Sequence, residues 1–275
     1  MTMIQVSLTV EESKRLIAMA ISTHPKVKKT LNQGSILFKG GSTVSEVSKA
    51  ITGHSLSLCG IITNRGTVMN VESNELPPHI GLYRKGKFED IDDSFDEEVL
   101  SLTENDLVVC GANAIDCYGN AAMLTGVSGG GGVSSAFSIW HGEGVAIIIP
   151  VGLEKLIPNN INDIIKNTGR RKKKLSTGMS VGLMPIRGEI ITEIEAIDIL
   201  TGLKAIPIAS GGIGTAKGSI TLDIEGEQTR LKDFMDMVLE IKNDVSNYKE
   251  EFKECKPPCE YCKEHLGCVY KKIRP

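Results

Sequence analysis

Apolar positions switch between helical and strand-like spacing along the chain. Leu16, Ile17, Met19, Ala20 and Ile21 recur at the helical period behind Thr9 and Glu12, which stand at capping-box spacing. A helix is therefore expected from Thr9, ending before Pro25. Ser35 to Phe38 form a short apolar run broken by Gly40-Gly41, after which Ser42-Thr43 are expected to cap a helix carrying Val44, Val47 and Ala50. Further runs predict strands over 57–63, 79–83, 107–110 and 145–151, with helices over 97–103 and around 133–139. Strands alternating with helices predict an α/β fold with a mainly parallel, Rossmann-like sheet.

The pattern changes near residue 160, where a short polar helix is followed by a glycine, the basic run Arg170-Arg171-Lys172-Lys173-Lys174 and a second glycine. Strands are expected again over 179–185, 204–209 and 219–224, with helices over 192–200 and 229–242. That order, β-α-β-β-α, makes up most of a ferredoxin-like unit. Gly211, Gly212 and Gly214 read as turn glycines between two of its strands. The expected organisation is a Rossmann-like ligand-binding domain over 1–160, a basic linker over 161–178, a ferredoxin-like α+β domain over 179–247 and a Cys-rich tail over 248–275.

Composition narrows the function. The 275 residues are 41% hydrophobic and 24% charged, ordinary for a soluble globular chain, and 29 glycines against 4% aromatics favour backbone-lined sites over stacking platforms. A net charge of −3 and few aromatics argue against nucleic acid as a partner. The longest apolar run, 145–151, falls far short of the roughly 18 residues that cross a bilayer, and the N-terminus lacks a basic segment followed by an apolar one. The expectation is a cytoplasmic homo-oligomer with no membrane partner and a small-molecule ligand.

Candidate chemistry concentrates between Val108 and Phe137, where a buried strand leads to Asp116 and then to Gly129, Gly130, Gly131 and Gly132. Free amides there, ahead of a helix beginning near Ser134, suit a phosphate or oxyanion. Gly40, Gly41, Ser42 and Thr43 offer the same at a second helix start, or form a tight turn with an N-cap. Asp116 stands as a general base or an anchor for a ligand hydroxyl, with Asn113 at the same rim, or else it closes an Asx turn. Lys155 follows a third strand, as an ammonium at the sheet edge or as a solvated side chain. The basic run 170–174 reads as a solvated linker, or as a contact for the phosphates of CoA or a nucleotide.

Seven cysteines without an export signal point to thiols or metal ligands. Cys59 and Cys110 fall in apolar strands and are expected as small buried hydrophobes. Cys117, beside Asp116, is a candidate reactive thiol with no base visible in sequence. Cys255, Cys259, Cys262 and Cys268 follow C-x3-C-x2-C-x5-C and are expected to coordinate metal. Short spacings beside proline lean towards a [4Fe-4S] cluster, whereas departure from the usual ferredoxin spacing keeps zinc open. His265 stands as a replacement for one thiol or as a surface imidazole.

GGSTV at residues 40–44, and GANAID at residues 111–116 followed by the GGGG run, resemble the phosphate loop, Asp-bearing loop and glycine-rich segment of ribose-phosphate isomerases. Those enzymes share a superfamily with glucosamine-phosphate deaminases and CoA transferases. The resemblance covers about residues 35–157, and Leu153-Glu154-Lys155-Leu156 is similar to the isomerases' Lys-containing segment. It implies an enzyme of isomerase or transferase type acting on a phosphorylated sugar or CoA-type ligand, with a ferredoxin-like lid. Three departures stand beside it. Asn113 occupies the first of two Asp positions, no Lys precedes the glycine run, and Ser134-Ser135-Ala136 stand where the catalytic Glu belongs. The superfamily's CoA transferases use a Glu nucleophile, for which Glu72 and Glu75 are the candidates here, or else they are solvated loop residues. The alternatives are a non-catalytic ligand-sensing or redox-linked protein on the same fold, and a nucleic-acid binder using the basic run with a zinc knuckle.

Overall fold

The computed structural model describes residues 2–64, 66–69 and 76–245. Its first element is a strand not expected above, β1 (Thr2–Leu8), followed by α1 (Val10–Thr23). Thr9 caps α1: the Glu12 amide donates to its hydroxyl, and its own amide donates to the Glu12 carboxylate. α1 ends at His24 because the following Pro25 disfavours helical geometry in the residue before it, and that proline opens α2 (Pro25–Gln33). There follow β2 (Ser35–Lys39), α3 (Ser42–Thr52), β3 (Gly60–Thr63), β4 (Gly66–Met69), β5 (Ile80–Arg84), β6 (Lys87–Asp90), α4 (Phe95–Ser101) and β7 (Leu107–Cys110). The middle of the chain holds β8 (Ala114–Ile115), β9 (Ala121–Thr125), α5 (Gly132–Glu143), β10 (Ala146–Pro150) and α6 (Ile161–Asn167). The last elements are β11 (Gly182–Ile186), β12 (Glu189–Ile191), α7 (Glu193–Thr201), β13 (Lys204–Gly211), β14 (Ser219–Gly226) and α8 (Gln228–Val245).

The fold is mixed α/β, built on a six-stranded sheet ordered β12-β10-β7-β2-β5-β6. Its first four strands run parallel, but β5 pairs antiparallel with both β2 and β6, so the sheet is mixed. A tight turn sets the β5–β6 pairing: Lys85 and Gly86 both take positive φ, 51° and 80°, which suits a two-residue hairpin. β2 and β7 are buried throughout, as expected of central strands covered on both faces. Leu37, Val108 and Cys110 face Phe95, Phe137 and Trp140 on one side. Ile36, Phe38 and Val109 join Leu16, Ile17, Val44 and Val47 on the other.

The ferredoxin-like arrangement over 179–247 is not formed. β13 and β14 pair antiparallel, but their third strand is β1, registered from Thr2 opposite Gly226 to Leu8 opposite Ile220. The strand expected to begin that unit, β11, instead pairs with β9 in a ribbon ordered β11-β9-β8. Alternation in β1 sets which face is buried: Ile4, Val6 and Leu8 point to one side and pack with Leu222, Ile224 and Phe234. The chain up to Val245 is one compact unit. Within 161–178, Ile161 at the start of α6 is buried with Ala114 and Ala122. Among the described residues no helix is long and apolar enough to cross a membrane.

Candidate functional site

A cleft of about 470 Å³ opens where β2, β7 and β10 end, at the carboxyl edge of the parallel strands, the usual ligand position in open α/β sheets. β2 delivers Lys39 and the Gly40-Gly41 turn, β7 delivers Gly111, Ala112 and Asn113, and the segment after β10 delivers Lys155. Lys14 enters from α1, and Cys59, Ile61 and Met179 close other parts of the wall.

The turn after β2 needs glycine because the chain passes close to its neighbours. The Gly40 amide donates to the His79 carbonyl at 2.7 Å, and a Cβ on Gly40 would collide with the His79 and Ser57 carbonyl oxygens. Gly41 takes the N-cap position of α3 and provides no side-chain cap. Ser42 and Thr43 are therefore the first two helical residues and not the caps that the sequence suggested. The first-turn amides of α3 have no side-chain acceptor, and the positive end of the helix dipole faces the cleft. Thr43 is 2% exposed and its hydroxyl has no hydrogen-bond partner. Burying an unpaired hydroxyl costs roughly 1–3 kcal/mol.

Lys39, Lys155 and Lys14 line the same cleft as this helix start. Lys39 is 8% exposed, and no carboxylate among the described residues pairs with it. It stands in register with Cys110, whose thiol burial pushes up to about 11 against the opposing pull of the Lys39 charge. Lys155 has 25% of its side chain exposed, and Glu154 Oε1 lies 3.9 Å from its Nζ. Burial holds the Lys155 amine below its ordinary value, the Lys14 charge acts in the same direction, and Glu154 and Glu193 oppose them. Lys14 pairs with Glu11 at 2.6 Å. Glu193 is 1% exposed and accepts from the Leu153 amide at 2.9 Å. Burial raises its carboxyl; hydrogen bonds from Ser13 and Leu153 oppose that rise, and Glu154 adds to it.

The cleft thus brings together Gly40, Gly41, Ser42, Thr43, Asn113 and Lys155. Asn113 is held at the wall by the Leu124 amide, which donates to its Oδ1 at 3.0 Å. Asp116 is not part of the lining. Its Oδ1 accepts from the Tyr118 and Asn120 amides and its Oδ2 from the Ile161 amide, so the turn reading of this residue is the one realised. Burial raises its carboxyl, but these hydrogen bonds outweigh burial and hold it below the ordinary range.

The second glycine loop opens elsewhere. Gly129, Gly130 and Gly131 take φ of 71°, 78° and 69°, and Gly129 and Gly130 line a separate cleft of about 450 Å³ with Arg170, Arg171 and Lys172. Arg170 Nη1 donates to the Gly126 carbonyl at 3.4 Å, so part of the basic run lies against this loop. Gly132 opens α5 and lines neither cleft.

Lys14, Lys39 and Cys59 join the first cleft although the sequence had not singled them out as site residues. Lys39 did carry a signal, as the charged end of an apolar strand directly before two glycines. Cys59 is exposed, contrary to the expectation of burial, because β3 begins only at Gly60 and lies mostly exposed. Cys110 is buried as expected, and Cys117 is exposed. Glu72, Glu75 and the tail residues Cys255, Cys259, Cys262, His265 and Cys268 lie outside the described residues. Among the described residues no group of three or more His, Cys, Asp or Glu could hold a metal. Comparisons with known protein families, curated proteins and solved structures gave no match.

Proposed function

We propose that the first cleft binds a phosphorylated small molecule and that the chain is an enzyme of isomerase or transferase type, in the manner of the ribose-phosphate isomerase and CoA transferase superfamily. The observation that carries this reading is the unpartnered Thr43 hydroxyl at the uncapped start of α3, in the cleft that Lys39 also lines. A phosphate there would accept from the first-turn amides and from Thr43, and would neutralise the buried ammonium. The similarity of GGSTV to the isomerase phosphate loop supports the same ligand class. Lys155 and Asn113 line this cleft and are the groups we assign to its chemistry, whereas the satisfied carboxylate of Asp116 supports a structural role.

Calorimetric titration of the full chain with inorganic phosphate and with ribose 5-phosphate tests the proposal. Saturable binding of either, weakened in Thr43→Val, is expected; absence of binding, or equal binding by the variant, would overturn it. For the tail we propose metal at Cys255, Cys259, Cys262 and Cys268, as a [4Fe-4S] cluster or zinc. Elemental analysis of anaerobically purified protein tests it, and protein free of both iron and zinc would refute it.

A further inference from the structure

We infer that Lys155 is an amine nucleophile that forms an imine with a phosphorylated aldehyde or ketone held in the first cleft. The inference rests on the phosphate reading of Gly40 to Thr43 and narrows its substrate class to carbonyl compounds. Lys155 lines the same cleft of about 470 Å³ as the α3 helix start, so a small ligand anchored there by its phosphate shares that space with an amine. The side chain is largely shielded, and Glu154, 3.9 Å away, favours the charged form without making a hydrogen-bonded ion pair. Lys14 lines the cleft as well, and its charge disfavours a second ammonium. Shielding combined with a neighbouring cation is how proteins prepare a lysine for carbonyl addition. Burial is the main influence on the Lys155 proton and, with Lys14, acts to release it against the pull of Glu154 and Glu193.

The chemistry balances without a further reactant. The Nζ lone pair attacks the carbonyl carbon, the carbonyl π electrons move to oxygen, and one proton passes from the adduct nitrogen to that oxygen to give a neutral carbinolamine. The remaining N–H proton of the carbinolamine passes through solvent to the departing hydroxyl. A C=N bond forms, the C–O bond breaks and one water leaves. The imine is protonated more readily than the parent carbonyl and draws electrons from the adjacent carbon. That polarisation would assist proton removal there in an isomerisation.

Incubation of the full chain with D-glyceraldehyde 3-phosphate and sodium cyanoborohydride, followed by peptide mass mapping, tests the inference. The reductant traps any imine as a stable secondary amine. We expect Lys155 to be modified at least tenfold faster than exposed lysines such as Lys26, with protection by excess inorganic phosphate and loss of the adduct in Lys155→Arg. Modification of Lys155 at or below the rate of exposed lysines in the unaltered protein would overturn it, whatever the variant does. Phosphate titration of the same samples keeps the two readings apart. Phosphate binding without a Lys155 adduct removes the imine alone. A Lys155 adduct formed equally fast with unphosphorylated glyceraldehyde keeps the nucleophile and removes the phosphate site.

Discussion

The Ile161 amide donates to Asp116 Oδ2 at 2.8 Å, tying the first residue of α6 to the loop that follows β8. The other oxygen receives the Tyr118 and Asn120 amides at 2.9 Å each, so one carboxylate organises two segments that are 45 residues apart. Asp116→Asn retains one oxygen and points an N–H at a donor. We expect a loss of about 3 kcal/mol in urea unfolding at pH 7, the order of one unsatisfied buried donor plus lost bonds to a charged acceptor. Because these bonds hold the folded carboxyl below its ordinary 3.8, their contribution is full above that value and fades as pH falls through the folded one. The gap between parent and variant should therefore shrink towards pH 2. A gap independent of pH would show that the ionised form is not what the amides stabilise.

Thr43→Val separates ligand binding from stability in one substitution. Valine matches threonine in shape and removes a buried hydroxyl that nothing in the protein satisfies. The unliganded protein should be unchanged or more stable by up to about 1 kcal/mol, while phosphate affinity falls about tenfold, or about 1.4 kcal/mol. Thermal unfolding with and without phosphate measures both effects. Destabilisation of the unliganded protein would mean that the hydroxyl already has a partner.

What could be read from the sequence follows the range of the forces involved. Capping at Thr9 and Thr192 is local, and both capping boxes form, Thr9 with Glu12 and Thr192 with Glu195. The continuous apolar runs of β2, β7 and β10 announce buried strands, and Gly40 to Thr43 and Lys155 follow two of those runs, which is why they could be placed at a sheet edge. The partner of β14 could not be placed, because β1 lies more than 200 positions away and alternation in residues 2–8 reveals a buried face but not the strand it joins. The glycine run misled for a related reason. Free amides show that a loop can approach an anion, but not which cavity the loop opens into, and Gly129 and Gly130 open beside Arg170 and not beside Lys39. Lys14 was hidden because helical periodicity marks the buried face of α1 and says nothing of what its rim touches.

Glu193 should make the protein less stable as pH rises. Burial lifts its carboxyl above the ordinary 4.5, so the folded state holds this proton more tightly than the unfolded chain does. The resulting stabilisation is complete below 4.5 and is lost as pH rises through the folded value. Glu193→Gln keeps an oxygen to accept from Leu153 and Ser13 and cannot ionise. Denaturant unfolding between pH 4 and 9 should show parent and variant converging at the acid end, with the variant the more stable at the alkaline end. A variant less stable at every pH would mean that the ionised carboxylate is the form the fold prefers.

Lys155 offers the most direct check on the electrostatics of the cleft. Burial is the main cause of its lowered basicity, Lys14 adds to it, and Glu154 and Glu193 oppose it. Competitive acetylation at limiting reagent, followed by mass mapping, reads the fraction of neutral amine at each lysine as a function of pH. In the parent protein the Lys155 midpoint should fall below those of exposed lysines such as Lys26. Lys14→Met removes one positive charge and should move the Lys155 midpoint up, whereas Glu154→Gln removes a compensating negative charge and should move it down. Glu11, the carboxylate freed by Lys14→Met, is largely exposed and water screens it, so it should not mask the change. Opposite movements in the two variants would tie the behaviour of Lys155 to its charged neighbours. Midpoints unmoved in both would leave burial as the only cause, and Lys14 would then be a wall residue with no influence on the amine.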